Sequence, residues 1–201
     1  MTRKIKSKRK QFWMQSMIFL LMTMGVSCQK NSSPKYGESE TLKEESKLLE
    51  LDLTSKIPVT REELKNWIPI GVGDFKISKT VIGYKESVDM SAIKATYSHQ
   101  IDSSKQIFLE VLDGAGPVAS VLLAGSIQKL NLDFEERKGD GFSRIHERNG
   151  QRVWEAESSS LGVAEIEFIH AGRFLVSVKG NYLRSEDLWV FSDKLDFNGL
   201  K

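Results

Sequence analysis

Residues 141–158 read GFSRIHERNGQRVWEAES, and their pairing decides the fold. Asn149-Gly150 is a strong short hairpin signal, because the tight turn that matches strand twist needs positive φ at both central residues. A two-residue loop there pairs Arg148 with Gln151, Glu147 with Arg152, Ile145 with Trp154, Arg144 with Glu155 and Ser143 with Ala156. In that register Ile145 and Trp154 fall on one side, read as the core side. Arg144 and Glu155 meet as opposite charges on the other, read as solvated. The sheet is therefore antiparallel at this point.

Working outward, a second hairpin surrounds His170-Ala171-Gly172. A two-residue loop would set Glu167 against Val176 and mix the faces. A three-residue loop with Gly172 in the left-handed region pairs Phe168 with Phe174, Ile166 with Val176 and Ala164 with Val178. Glu165 and Glu167 then share the solvent side with Ser177 and Leu175, and Gly180 ends the strand. Ser185-Glu186-Asp187 opens a last helix, a cap hydroxyl followed by two acids at the positive end of the dipole. Leu188, Phe191 and Leu195 recur along it at helical spacing.

Upstream, strand signals cover Asp74–Tyr84, with Gly83 as a bulge, then Ala92–His99, which alternates, and Gln106–Leu112, apolar on both faces as a central strand is. Asp113-Gly-Ala-Gly-Pro117 turns the chain into a helix over Pro117–Leu130 that is apolar nearly all round, hence read as deeply buried. Thr60-Arg61-Glu62-Glu63 is a capping-box signature for a short helix through Trp67, stopped by Pro69. The sum is an α+β domain over residues 59–201: an antiparallel sheet of about seven strands with two helices packed on one face. The run Gly172–Phe197, strand then glycine then capped helix, resembles the C-terminal unit of the PsbP/Mog1-like α+β fold.

The N-terminus belongs to a different class of segment. Residues 1–27 hold 6 of the chain's 29 basic residues and none of its 27 acidic ones. An apolar run from Phe12, densest over Met17–Met24, leads to small residues Gly25 and Ser27 beside Cys28, the 1 cysteine of the chain. A basic start, a short apolar stretch and a small-residue end make a secretory signal peptide. The run is shorter than the ~20 apolar residues that a membrane span needs. One cysteine forms no intrachain disulfide, and no histidine stands near it in sequence to activate it as a nucleophile.

Val26-Ser27-Cys28 resembles the lipobox of bacterial lipoproteins, departing from it at Gly25, where that family carries a branched apolar residue. The resemblance implies that residues 1–27 are removed, that the Cys28 thiol receives a diacylglycerol, and that acyl chains hold Cys28 in a bilayer on the periplasmic side of a bacterial envelope. Gln29, rather than Asp, after the cysteine points to the outer membrane by the rule of the enterobacterial members. Residues 28–58 are then the lipidated cysteine, a polar tether and a short helix or its continuation. The stretches LKNWIP, IGYK, KATY and LEVLDGAG are also similar to those of small uncharacterised bacterial lipoproteins. Removal of residues 1–27 leaves 23 basic against 27 acidic residues, a net charge of −4. That balance lacks the clustered lysine and arginine on which nucleic-acid binding rests.

Motifs for chemistry are sparse. His99, His146 and His170 show no metal-ligand spacing, so no metal or cofactor is expected. Gly114 and Gly116 before a helix resemble an anion cradle, with Asp113 as the acid of the turn, but no Walker lysine or third glycine accompanies them. Arg144, His146 and Arg148 form a row on one strand, with Arg152 on the facing strand. That row could receive an acidic partner or a lipid headgroup. Glu155 and Glu147 are placed to neutralise part of it. No nucleophile elbow and no zinc-protease helix is present. The expectation is a non-enzymatic, lipid-anchored interaction module that binds another envelope component through an open sheet face. The alternatives are a carrier of a small apolar ligand between the sheet and the Pro117–Leu130 helix, and an enzyme of unrecognised type.

Overall fold

Asn149 and Gly150 both adopt positive φ, 54° and 76°, the signature of the mirror-image turn that suits strand twist. Every pair expected around that turn forms, from Arg148 with Gln151 to Ser143 with Ala156. The computed structural model describes residues 36–83 and 90–200. The chain divides into Met1–Ser33 and Pro34–Lys201, and the second unit holds all the described residues. The expected signal peptide, residues 1–27, and the expected lipidation site Cys28 lie outside them.

Nine strands form one sheet: β1 (Gly71–Val72), β2 (Phe75–Ile82), β3 (Ser91–His99), β4 (Gln106–Asp113), β5 (Glu135–Lys138), β6 (Gly141–Arg148), β7 (Gln151–Ser158), β8 (Val163–His170) and β9 (Phe174–Asn181). Their order across the sheet is β1-β2-β3-β4-β9-β8-β7-β6-β5. Two antiparallel meanders are thus joined at β4 and β9, where Leu109 faces Val178 and Val111 faces Val176. The both-faces-apolar reading of Gln106–Leu112 matches its central place. The two strands beyond the expected seven, β1 and β5, are short edge pieces. β5 is Glu-Glu-Arg-Lys, exposed throughout, and carries no alternation by which to recognise it. Charge on so short an edge opposes further strand pairing.

The second hairpin keeps its three-residue loop but slides it by one. Ala171-Gly172-Arg173 forms the loop, with positive φ at Ala171 and Gly172, and the Arg173 amide donates to the His170 carbonyl at 3.0 Å. Phe168 therefore faces Val176, and Ile166 faces Val178, a register two residues from that expected. A shift of two preserves the side-chain faces, because the strand period is two. The bulge in β2 lies between Ile77 and Lys79, not at Gly83.

The helices are α1 (Tyr36–Thr54), α2 (Arg61–Trp67), α3 (Pro117–Leu130) and α4 (Ser185–Ser192), with a 3-10 turn at Phe197–Gly199. The capping box forms as read: the Glu63 amide donates to Thr60 Oγ1 at 3.2 Å, and the Thr60 amide to the Glu63 carboxylate at 2.7 Å. At α4 the cap is Arg184, whose amide donates to Asp187 Oδ2 at 2.9 Å. Ser185 instead donates its amide and hydroxyl to Glu157 Oε2.

The two long-range helices do not share a face. α4 sends Trp189 against Phe168 and Leu188 against Gly180, and with α2 it covers the main core of Ile93, Tyr97, Ile107, Leu109, Ile166, Val176 and Val178. α3 lies on the opposite face, where Lys129 contacts Glu167 and the Trp154 ring. α1 runs antiparallel to α3, with Thr54 Oγ1 3.0 Å from Ser120 Oγ and Gln128 bonded to Ser46. The compact unit so begins ahead of residue 59, and α1 is part of it. α3 is not buried all round. Ala119, Ser120, Leu123, Ala124 and Leu130 are buried, whereas Val118, Val121 and Leu122 are about half exposed. A two-sided sheet divides its covering helices between faces, so each helix needs only one apolar stripe.

Candidate functional site

The glycine turn before α3 spends its amides internally. Gly114 donates to the Arg173 carbonyl at 2.8 Å, Ala115 to Asp113 Oδ1 at 3.0 Å and Gly116 to the Leu53 carbonyl at 3.0 Å. The amides of Gly114, Ala115 and Gly116 are thus taken within the fold and are not offered to an anion. Asp113 does not cap the helix. It has no exposed surface and binds Arg173 with both oxygens, at 2.7 and 2.8 Å. It also accepts the Val59 amide at 2.7 Å. The Asp113 bond holds the Arg173 guanidinium above its usual range, against the opposing effect of burial. Three segments distant in sequence meet on one carboxylate, which is a structural node.

The basic row is split between faces. Arg144, His146 and Arg148 sit on the α4 side, and Arg152 on the α3 side, where it donates to the carbonyls of Leu130 and Leu132. Glu155 is 4% exposed, not solvated. Its Oε2 accepts Arg144 Nε at 3.0 Å and Nη2 at 2.7 Å, and its Oε1 accepts the Trp189 indole at 3.2 Å. Burial pushes the Glu155 carboxyl up, but the Arg144 hydrogen bond and charge and the Trp189 bond outweigh it, and the net shift is downward. His146 Nε2 lies 3.0 Å from the same Oε2 without the alignment of a hydrogen bond. Arg148 pairs with Asp193 at 2.9 Å and covers the Trp189 ring at 4.3 Å. The row thus clamps β6 and β7 to α4 and has most of its charge satisfied within the domain.

The histidines stay apart. His99 Nδ1 accepts the amides of Ile101 and Asp102, and His170 stacks on Phe197 at 4.7 Å. Burial pushes the His170 imidazole down. Among the described residues no three His, Cys, Asp or Glu side chains gather as metal ligands.

Three hollows lined by described residues lie elsewhere, and the roomiest of these is on the α3 face. α3 lies over Trp154 of β7 and Glu167 of β8, and the part toward β2, β3 and β4, which reaches Glu165, Ser177 and Lys179 on β8 and β9, carries no helix among the described residues. There a cavity of about 380 Å³ is lined by Lys79, Val81, Lys94, Thr96, Phe108 and Lys179, among others. Lys94 pairs with Glu110 at 2.8 Å, and burial pushes the Glu110 carboxyl up. Phe108 is half-buried at its floor. A second hollow of about 220 Å³ lies between the β1–β2 turn and α4, with His99, Lys105, Asp187 and Lys194 on its wall. A third, of about 200 Å³, sits at the β5 edge around Phe142 and Glu157. None of the three has a wall residue from α3, where an apolar ligand was expected.

The sequence reading missed Lys79, Phe108 and Lys179 as site residues. Their strands were legible, and so was their alternation. Which part of that face goes uncovered depends on where α3 docks, and no local pattern encodes that.

No protein-family model, curated protein or solved structure matches the chain. Among the described residues no helix is long and apolar enough to cross a membrane.

Proposed function

We propose that this chain is a lipid-anchored lipoprotein of the bacterial envelope that works as a non-enzymatic binding module. The bare half-face over β2, β3 and β4 is its contact surface. The observation that carries the contact surface is asymmetric cover: one face of the sheet is closed by α2, α4 and the C-terminal turn, and the other is closed by α3 only in part. A sheet face left open with an aromatic floor and polar rim is a surface that a partner can complete. Its hollow, about 380 Å³, falls within the ordinary range for ligand pockets. The anchor rests on the basic, apolar and Val26-Ser27-Cys28 succession. Two or more acyl chains give firm attachment where one is marginal.

Site-directed photo-crosslinking tests the surface. A crosslinking residue at Thr96 or Ser177, on the bare half-face, should yield a discrete adduct in intact cells. The same residue at Val121 or Leu122, on α3, should not. Equal yields from both sets, or none from the half-face, would overturn the assignment.

A further inference from the structure

We infer that the partner of the bare half-face is an acidic segment of another protein, with an apolar side chain seated over Phe108. This rests on the half-face being the contact surface. The described charged side chains there are Lys76, Lys79, Lys94 and Lys179 against Glu110 and Glu165. The β2 bulge is what gathers them. Lys76 and Lys79 are three apart, and uninterrupted alternation would send them to opposite faces. The extra residue between Ile77 and Lys79 pairs Lys76 with Ser98 and Lys79 with Thr96, both on the open side.

The two acids on this face each lie across from a lysine, and one of them forms an ion pair. Glu110 holds Lys94, and Glu165 lies opposite Lys179 across the β8–β9 ladder. Lys76, Lys79 and Lys179 have no ion pair among the described residues. An excess of two positive charges thus stands on a chain that carries −4 once residues 1–27 are removed. Charge of one sign concentrated on a face against the overall balance selects a partner of the other sign and steers its approach. The surface is recessed around Phe108, which suits an inserted side chain on an extended segment better than a planar bilayer.

The test uses the full chain in detergent and a fluorescein-labelled glutamate-rich peptide with one central phenylalanine. Binding is read by anisotropy. Replacing Lys76, Lys79 and Lys179 by Gln should weaken binding at least tenfold. The same replacement at Lys43, Lys47 and Lys56, on and just after α1, should change it less than twofold. Raising salt from about 50 to about 300 mM should weaken the unaltered chain severalfold. Equal losses in both triple variants would mean diffuse attraction and overturn the inference. Tighter, lysine-dependent binding to phosphatidylglycerol vesicles would assign the face to lipid headgroups and also overturn it. Crosslinking in cells separates the two layers. An adduct from Ser177 that survives the Lys76, Lys79 and Lys179 replacements leaves the contact surface standing and removes its charge logic. No adduct from Thr96 or Ser177 removes the surface itself.

Discussion

Asp113 is a charged group with no exposed surface, held by one guanidinium and two backbone amides. Removing one partner of a buried pair leaves the other desolvated and unpaired, at a cost of about 3–5 kcal/mol. Asp113→Ala should therefore lower the urea midpoint by that equivalent. The pair Asp113→Ala with Arg173→Leu should lose less than the two single losses added. The sequence marked Asp113 as the acid of a turn. Its partner Arg173 lies 60 residues away, and nothing local announced it. His170 and Glu155 are half-buried or buried groups with a pH signature. His170 and Glu155 both have folded pKa values below their ordinary values of 6.5 and 4.5. As pH falls, the unfolded chain takes up these protons first, so stability held above the ordinary value is lost below it. The thermal midpoint should fall in two stages, below about pH 6.5 and again below about 4.5. His170→Gln should remove the first stage and leave the second.

At the scale of elements, two glycines show two kinds of constraint. Gly150 has φ 76°, and a methyl group added there would point into open space, so Gly150→Ala costs only backbone strain. That is about 1–2 kcal/mol. Gly114 has no such torsion, but a Cβ there would meet Leu123 Cδ2 at 2.5 Å and the Arg173 carbonyl at 2.8 Å. Gly114→Ala should cost about 1–3 kcal/mol through overpacking. A Leu123→Ala background should relieve part of the Gly114 effect and none of the Gly150 effect, as read by urea denaturation. The first constraint was written in the Asn-Gly pair. The second depends on α3 folding back across its own turn. The hairpins were legible for the same reason: both registers follow from alternation and loop length, the β8–β9 register missing by a two-residue shift that alternation cannot detect. The face of β6 and β7 read as solvated, with Arg144 and Glu155, is the one that meets the main core through Val153. β5 escaped because four consecutive charged residues have no period. Arg152 was misplaced beside Arg144 and Arg148 because residues on facing strands can be close along the ladder and yet point to opposite sides of the sheet.

For the whole molecule, the proposed anchor and the folded unit make separable predictions. If Cys28 is acylated as proposed, Cys28→Ala should move the chain from the membrane to the soluble fraction while leaving its thermal midpoint within about 0.5 kcal/mol equivalent, since Cys28 precedes α1. A variant that stays with membranes after losing residues 1–27 would defeat the lipid reading.

Taken by itself, the sequence determined an antiparallel α+β sheet, its hairpin turns, the capped start of α2, and the basic-then-apolar run to Cys28 from which the anchor is read. These are local: each rests on residues within about one hairpin of each other, where period, turn chemistry and capping operate. Tertiary structure alone decided that α3 and α4 lie on opposite faces, that Glu155 is buried, that the glycine amides are already taken, and that no described helix covers the half-face over β2, β3 and β4. Those outcomes depend on which surface each helix meets after a long connection. An apolar stripe says that a helix must be covered, and does not say by what.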